Sequence, residues 1–226
     1  MSLILGIDEA GRGPVIGPMV MCGYLIREKS VTKLKKLGVT DSKLLSKKQR
    51  EFLFSHVKKL ADDMIVFHIP AAEIDRLRTV SNLNKLEIER MRQMIELLEP
   101  DKVIIDAPEA NVANFKKKIS SGLKAKSVIA AENFADKNYI EVAAASVIAK
   151  VSRDREIETL HKKYGYFGSG YPSDSATIGF LKNWIKENKE FPDFVRKSWI
   201  TAQLIMEEKE QTKIGKFVRD EMLAED

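Results

Sequence analysis

Cysteine is almost missing from this chain: Cys22 is the only one in 226 residues. No internal disulfide can form, which agrees with a reducing, cytoplasmic setting, and Cys22 itself reads as a small buried hydrophobe. Histidine is nearly as scarce. His56, His68 and His161 fall in helix or strand contexts with no ligand spacing. That argues against zinc and leaves them as ordinary core or surface side chains. Long hydrophobic runs are lacking as well. The longest, such as Val142–Ala149, fall far short of the ~20 residues a membrane-spanning helix needs, so no membrane partner is expected. The N-terminus has no charged leader ahead of an apolar core, and no secretory signal is expected. Repeats and low-complexity segments are also lacking.

What is present fits a soluble globular chain of one ordinary domain, with or without an appendage: 44% of residues are hydrophobic and 31% charged. The net charge of +5 agrees with a polyanionic partner, but a solvated lysine surface explains so mild an excess equally well.

The chain is organised around Gly6-Ile7-Asp8-Glu9-Ala10-Gly11-Arg12-Gly13-Pro14. The preceding Leu3-Ile4-Leu5 is an apolar run of the buried-strand kind. Neighbouring strand residues point to opposite faces. Asp8 and Glu9 are therefore expected to serve one site only if the strand stops near Asp8 and the chain bends, a bend that Gly11, Gly13 and Pro14 supply. Taken alone, this stretch is equally a strand followed by a solvated acidic turn.

A second strand, 17–26, is expected to pair antiparallel with the first. A short basic helix (30–37) and a polar loop (39–43) follow. Ser46 caps a helix over 47–61, and a third strand spans 64–69. Helices are expected over 71–77 and 82–98, a fourth strand over 102–105 ending in Asp106, a helix over 110–120 and a fifth strand over 127–131. Alternation of helix and strand in this half predicts parallel pairing. A long core helix covers 140–164, its small apolar start suited to close packing. A glycine- and tyrosine-rich loop leads to two further helices, 176–188 and 197–209. The expected divisions are 1–174, a catalytic domain, 175–210, a helical part packed on it, and 211–226, a tail.

Asp8 and Asp106 end strands of one sheet, and Asp136 follows the next strand and opens a helix. Ligand sites of open α/β sheets gather at the carboxyl ends of strands. Clustered carboxylates repel one another unless a cation compensates. A hard divalent ion with oxygen ligands, Mg²⁺ or Mn²⁺, is the natural choice. Such a site suits phosphodiester hydrolysis by two ions about 4 Å apart. A glycosidase needs only two carboxylates, no basic loop, and commonly several aromatics at its site.

Four blocks carry a resemblance over nearly the whole chain, to about Trp199: the Gly6–Pro14 stretch, Asp41-Ser42-Lys43, the run Ala144–Asp154, and Gly168-Ser169-Gly170-Tyr171-Pro172-Ser173-Asp174. Together they resemble the signature blocks of ribonuclease HII, the type 2 ribonuclease H, in archaeal style. The resemblance implies an α/β ribonuclease H-like fold: a mixed five-stranded sheet flanked by helices, with a C-terminal helical appendage. It implies endonucleolytic cleavage of the RNA strand of RNA–DNA hybrids, including ribonucleotides embedded in duplex DNA, leaving 5′-phosphate and 3′-hydroxyl ends. It maps the catalytic, metal-holding acids onto Asp8, Glu9, Asp106 and Asp136. Asp106 is preferred to Asp101 because it lies at the strand's carboxyl end, and Asp136 competes with Glu132 and Glu141. By the same resemblance, Gly11-Arg12-Gly13 reads the 2′-hydroxyl that separates RNA from DNA, Tyr171 packs on the sugar at the RNA–DNA junction, and Lys43 and Arg12 contact phosphate. Lys150 and Arg153 are read as solvated helix charges. Near the C-terminus, Gln211, Ile214 and Phe217 resemble the peptide box that docks replication proteins on a sliding clamp, with Val218 departing from its aromatic pair. Nothing demands a partner subunit, so a monomer is expected. The competing readings are a resolvase- or integrase-like DNA nuclease on the same fold and a hybrid-binding protein without catalysis.

Overall fold

The computed structural model describes residues 2–39 and 46–222. Lys43 and most of its loop lie outside the described residues. The chain runs β1 (Leu3–Ala10), β2 (Met19–Arg27), α1 (Val31–Lys36), α2 (Lys47–Leu60), β3 (Asp63–Ile69), α3 (Ala71–Arg78), α4 (Leu83–Leu98), β4 (Lys102–Asp106), α5 (Val112–Ser120), β5 (Val128–Glu132), α6 (Ala135–Asn138), α7 (Ile140–Tyr164), α8 (Ser175–Glu187) and α9 (Ile200–Met222). The sheet order is β3-β2-β1-β4-β5. β1 pairs antiparallel with β2, and β2 with β3, while β4 is parallel to both β1 and β5. The sheet is mixed, as expected, with its parallel half where helices and strands alternate in sequence.

Local chemistry sets several of these boundaries. Ser46 and Gln49 form a reciprocal capping box at the start of α2, and Asn82, Asn111 and Asp174 accept backbone hydrogen bonds at the starts of α4, α5 and α8. α4 ends on Glu99 in the left-handed conformation, with Pro100 behind it.

Period-two alternation divides β1 between two cores. Leu5 and Ile7 face one cluster with Met91, Met94 and Ile95 of α4 and Phe115 of α5. Ala10 faces another, formed with β2 and the Ala143–Ala149 surface of α7. At Gly6 the close packing is extreme. A Cβ there would lie 2.4 Å from the Glu141 backbone and 2.7 Å from the Val142 nitrogen, so only glycine lets α7 lie against the strand.

β1 does not stop near Asp8. Its pairing continues through Glu9↔Met21 and Ala10↔Val20, and the bend comes afterwards at Gly11, with φ at +80°. The antiparallel partner β2 supplies ladder hydrogen bonds to the very end, which holds the strand straight past both acids.

A third core joins the helical C-terminal part to the segment that follows β1. Val15 and Ile16 pack with Phe167, Leu181, Ile185, Val195, Ala202 and Ile205, and Ile16 bridges to Val195. α9 continues to Met222, so the segment from 211 to 222 is helical. Among the described residues, no helix is long and apolar enough to cross a membrane.

Candidate active site

Parallel pairing of Ile7 with Ile105 sets Asp8 and Asp106 level on neighbouring strands and on the same face of the sheet. Asp136 arrives from the next crossover. β5 ends at Glu132, Phe134 turns left-handed (φ 60°), and Asp136 sits in the first turn of α6. The Ala135 N–H donates to Asp106 Oδ1 at 3.1 Å, tying the two segments. One carboxylate oxygen from each of Asp8, Asp106 and Asp136 lies within 4.8 Å of the others.

The rejected acids are engaged elsewhere. Asp101 accepts the Leu3 N–H at 2.8 Å, at the opposite end of β4. Glu132 accepts the Tyr139 hydroxyl at 2.5 Å. Glu141 is buried in the first turn of α7 and is not among the three clustered acids.

Glu9 stands apart from this cluster, because alternation aims it toward α4 rather than α7. It lines the same cavity as the three aspartates, and it feels the charges of Asp8, the buried Glu87 of α4 and Asp106. Its Oε2 is buried with no hydrogen-bond partner.

Burial is the largest influence on Asp8 and, with Asp106 beside it, pushes its carboxyl up to about 7. Ser146 and Lys150 of α7 and the Glu9 N–H pull the other way; that N–H donates to Asp8 Oδ1 at 2.7 Å. Burial, then Asp8, Glu87 and Asp106, holds the Glu9 carboxyl well above its ordinary range, against the opposing pull of Arg12. The result is a buried crowd of carboxyls whose charges repel, which a hard divalent cation would relieve. An all-oxygen donor set with an unpartnered carboxylate oxygen at its edge fits such an ion.

The acids floor an open cavity of about 560 Å³. Gly11, Arg12, Gly13, Ser169 and Tyr171 line it as well, together with Arg50, Lys150, Arg153 and Asp154. Lys150 and Arg153 are thus pocket residues, not solvated helix charges. Arg153 is 6% exposed, its guanidinium carbon 5.3 Å from the Tyr171 ring centre. Its aliphatic stem fills the space that a Cβ at Gly11 would need, 2.5 Å away. Helical spacing from Ser146, a turn above Lys150, is the signal that could have placed both inward.

Arg12 Nε donates to Glu87 Oε1 at 2.8 Å and its other end reaches Asn84. Its guanidinium is therefore partly committed to α4, which narrows the phosphate contact expected of it. Glu87 carried no signal in sequence, being one acid on an amphipathic helix. Arg50 of α2 pairs with Asp154 at 3.1 Å, and it too had no distinguishing pattern. Arg196 is fully buried. Burial first, then the nearby Arg153, draws its ionisation down to about 9, so it stays cationic at neutral pH. It donates to the carbonyls of Gly17, Arg12 and Gly11 at 3.1, 2.9 and 2.5 Å.

A mixed sheet with acids converging at the ends of its central strands, under a cationic wall, defines a nuclease of the ribonuclease H-like class. The sequence profile of ribonuclease HII matches residues 5–202. Ribonuclease HII of Methanothrix thermoacetophila is 45% identical over 204 residues, 90% of this chain and 97% of that protein. The crystal structure of ribonuclease H2 from Pyrococcus horikoshii superposes with a TM-score of 0.86 at 43% identity, covering 91% of this chain and 98% of that one. The structure of the PCNA:RNase HII complex from Archaeoglobus fulgidus contains a chain that superposes at 0.82 with 37% identity, covering 89% and 96%. The chain belongs to the ribonuclease HII family.

Proposed function

We propose that Asp8, Asp106 and Asp136, with Glu9 at their edge, hold two divalent cations, Mg²⁺ or Mn²⁺, over the scissile phosphodiester. As a ribonuclease HII the chain is an endonuclease that hydrolyses the RNA strand of RNA–DNA hybrids. The observation that carries the metal reading is the approach of three acids, distant in sequence, to within 4.8 Å at the floor of a pocket with cationic walls. Bound there, the ions supply Lewis-acid chemistry that activates water and stabilises the leaving oxygen, which gives 5′-phosphate and 3′-hydroxyl ends.

The protein's own groups do the rest. Ser146 and the Glu9 N–H hold the Asp8 carboxylate in place, and the Ala135 N–H holds Asp106. Gly11-Arg12-Gly13 presents backbone to the sugar, where a side chain at Gly11 has no room, and so tests for the 2′-hydroxyl. Tyr171, 39% exposed in the same pocket, offers a ring face to the sugar at the RNA–DNA junction. Arg50, Lys150 and Arg153 give the phosphates a positive wall, with Arg12 and Lys43 as further contacts. The enzyme acts in the cytoplasm, as a monomer, on long hybrids and on single ribonucleotides in duplex DNA.

The relative from Archaeoglobus fulgidus was solved in complex with PCNA, a sliding clamp. We assign the same docking role here to Gln211, Ile214 and Phe217, which lie on the outer part of α9.

The deciding experiment uses a DNA duplex with one ribonucleotide, with and without divalent metal, and maps the cut. Metal-dependent cleavage beside the ribonucleotide, with an all-DNA duplex left whole, is expected. Equal cutting of the all-DNA duplex would replace this reading with a DNA nuclease of the resolvase kind.

A further inference from the structure

The segment 194–199 grips the turn that follows β1 almost entirely by its carbonyls. Arg196 takes those of Gly11, Arg12 and Gly17. Trp199 Nε1 takes that of Gly13 at 3.2 Å, and the Arg196 N–H takes that of Val15 at 2.8 Å. The grip is buried: Arg196 is fully enclosed, with its guanidinium carbon 4.8 Å from the Trp199 ring centre. Burying a charged guanidinium is costly unless its donors are used, and here three of its nitrogens donate to backbone.

In a planar trans peptide, the C=O of one residue and the N–H of the next point in opposite directions. Fixing the Gly11 and Arg12 carbonyls toward Arg196 therefore turns the Arg12 and Gly13 N–H groups the other way. Gly11, Arg12 and Gly13 line the catalytic pocket, while Arg196 does not. The outward side of those two peptides is the pocket side. The fourth carbonyl, that of Gly13, precedes Pro14, which has no N–H to turn.

We propose that Arg196 is a positioning residue for ribonucleotide recognition: by holding these carbonyls from behind, it aims the Arg12 and Gly13 N–H groups at the ribose of the substrate. The C-terminal helical part thereby takes part in sugar selection without touching substrate. The proposal rests on the reading that the Gly11–Gly13 turn meets the 2′-hydroxyl. A lysine in place of Arg196 keeps the charge but cannot fork to three carbonyls, so the two side chains are not equivalent here.

The test measures binding in the Asp8→Asn background, which blocks cutting, to two duplexes that differ by one ribonucleotide. The background protein is expected to prefer the ribonucleotide duplex. Adding Arg196→Gln should reduce that preference by about tenfold, the scale of one or two lost positioned hydrogen bonds, while affinity for the all-DNA duplex stays within about threefold. Arg196→Lys should fall between the two. A role confined to stability would lower the melting temperature and both affinities together. An unchanged ratio would therefore overturn the proposal. Should Arg196→Gln not fold, Arg196→Lys keeps the buried charge but replaces the planar fork on the Gly11 and Arg12 carbonyls with donors on a single nitrogen. A fall in the ratio supports the proposal and an unchanged ratio overturns it. Absence of any preference in the Asp8→Asn background would instead overturn the recognition reading itself, a separate result obtained before any Arg196 variant is made.

Discussion

Asp8 carries the most chemistry per atom. Its carboxyl, pushed up from 3.8 to about 7, keeps in the folded metal-free protein a proton that the unfolded chain has already lost. Between those two values the native state binds more protons, so metal-free stability falls as pH rises from about 4 to about 7. A cation competes with that proton, so metal affinity rises over the same interval. Melting temperatures measured across pH with and without Mg²⁺ should therefore diverge as pH increases. Cleavage at limiting metal should climb by up to about tenfold per pH unit below 7 and level off above it, one proton being displaced. Asp8→Asn removes the repelled charge. It should cost at least about a hundredfold in cleavage and raise the metal-free melting temperature by a few degrees, about 2–4 °C per kcal/mol for a chain of this size. Loss of activity with a lowered melting temperature would instead mean that Asp8 is structural. Glu9 is the informative contrast. Outside the three-aspartate cluster, Glu9→Gln should reduce cleavage less than Asp8→Asn at saturating metal, measured on the same duplex.

Two elements decide whether those residues meet. β1 brings Asp8 to the pocket, and α7 lies on it through a contact that only a glycine permits. Gly6→Ala would drive a methyl into the Glu141 and Val142 backbone. Neither strand nor helix can move without disturbing the sheet, so a loss of about 3 kcal/mol is expected in chemical denaturation. α7 then contributes along its length: Ser146 to Asp8, and one and two turns further on Lys150 and Arg153 to the pocket wall. At Gly11 the strain is of a different kind. Alanine there meets both a positive φ and the Arg153 stem. Gly11→Ala is expected to weaken ribonucleotide cleavage by ten- to a hundredfold, roughly 1.4 to 2.7 kcal/mol, with the fold retained on thermal melting.

Over the whole molecule, the helical C-terminal part is a structural partner of the catalytic half. Its core includes Val15 and Ile16, residues from the stretch just after the catalytic strand. Among the residues of α9 whose burial is described, those up to 211, the last buried anchor is Ile205. Removing residues 211–226 therefore spares that core. The truncated protein should cut a ribonucleotide duplex at the parental rate but lose clamp binding, read by surface plasmon resonance against PCNA. Retained affinity would place the docking surface elsewhere.

The sequence by itself determined the elements and the family. Apolar periodicity, the Ser46 cap and the break at Pro100 are local, so they are legible in one dimension. The signature blocks likewise mark Asp8, Tyr171 and the glycine turn without reference to any contact. Asp106 and Asp136 were legible because strand ends in an α/β sheet converge. Tertiary structure alone decided the rest. It carried β1 beyond Asp8, because the length of a ladder depends on the partner strand. It turned Lys150 and Arg153 into the pocket, because helical orientation is set by what the helix packs on. It gave Arg12 to Glu87 and placed Arg196 behind the glycine turn, pairs separated by 75 and 184 positions. Charged side chains of this kind look alike in sequence, and only the folded chain shows which of them are buried and what they hold.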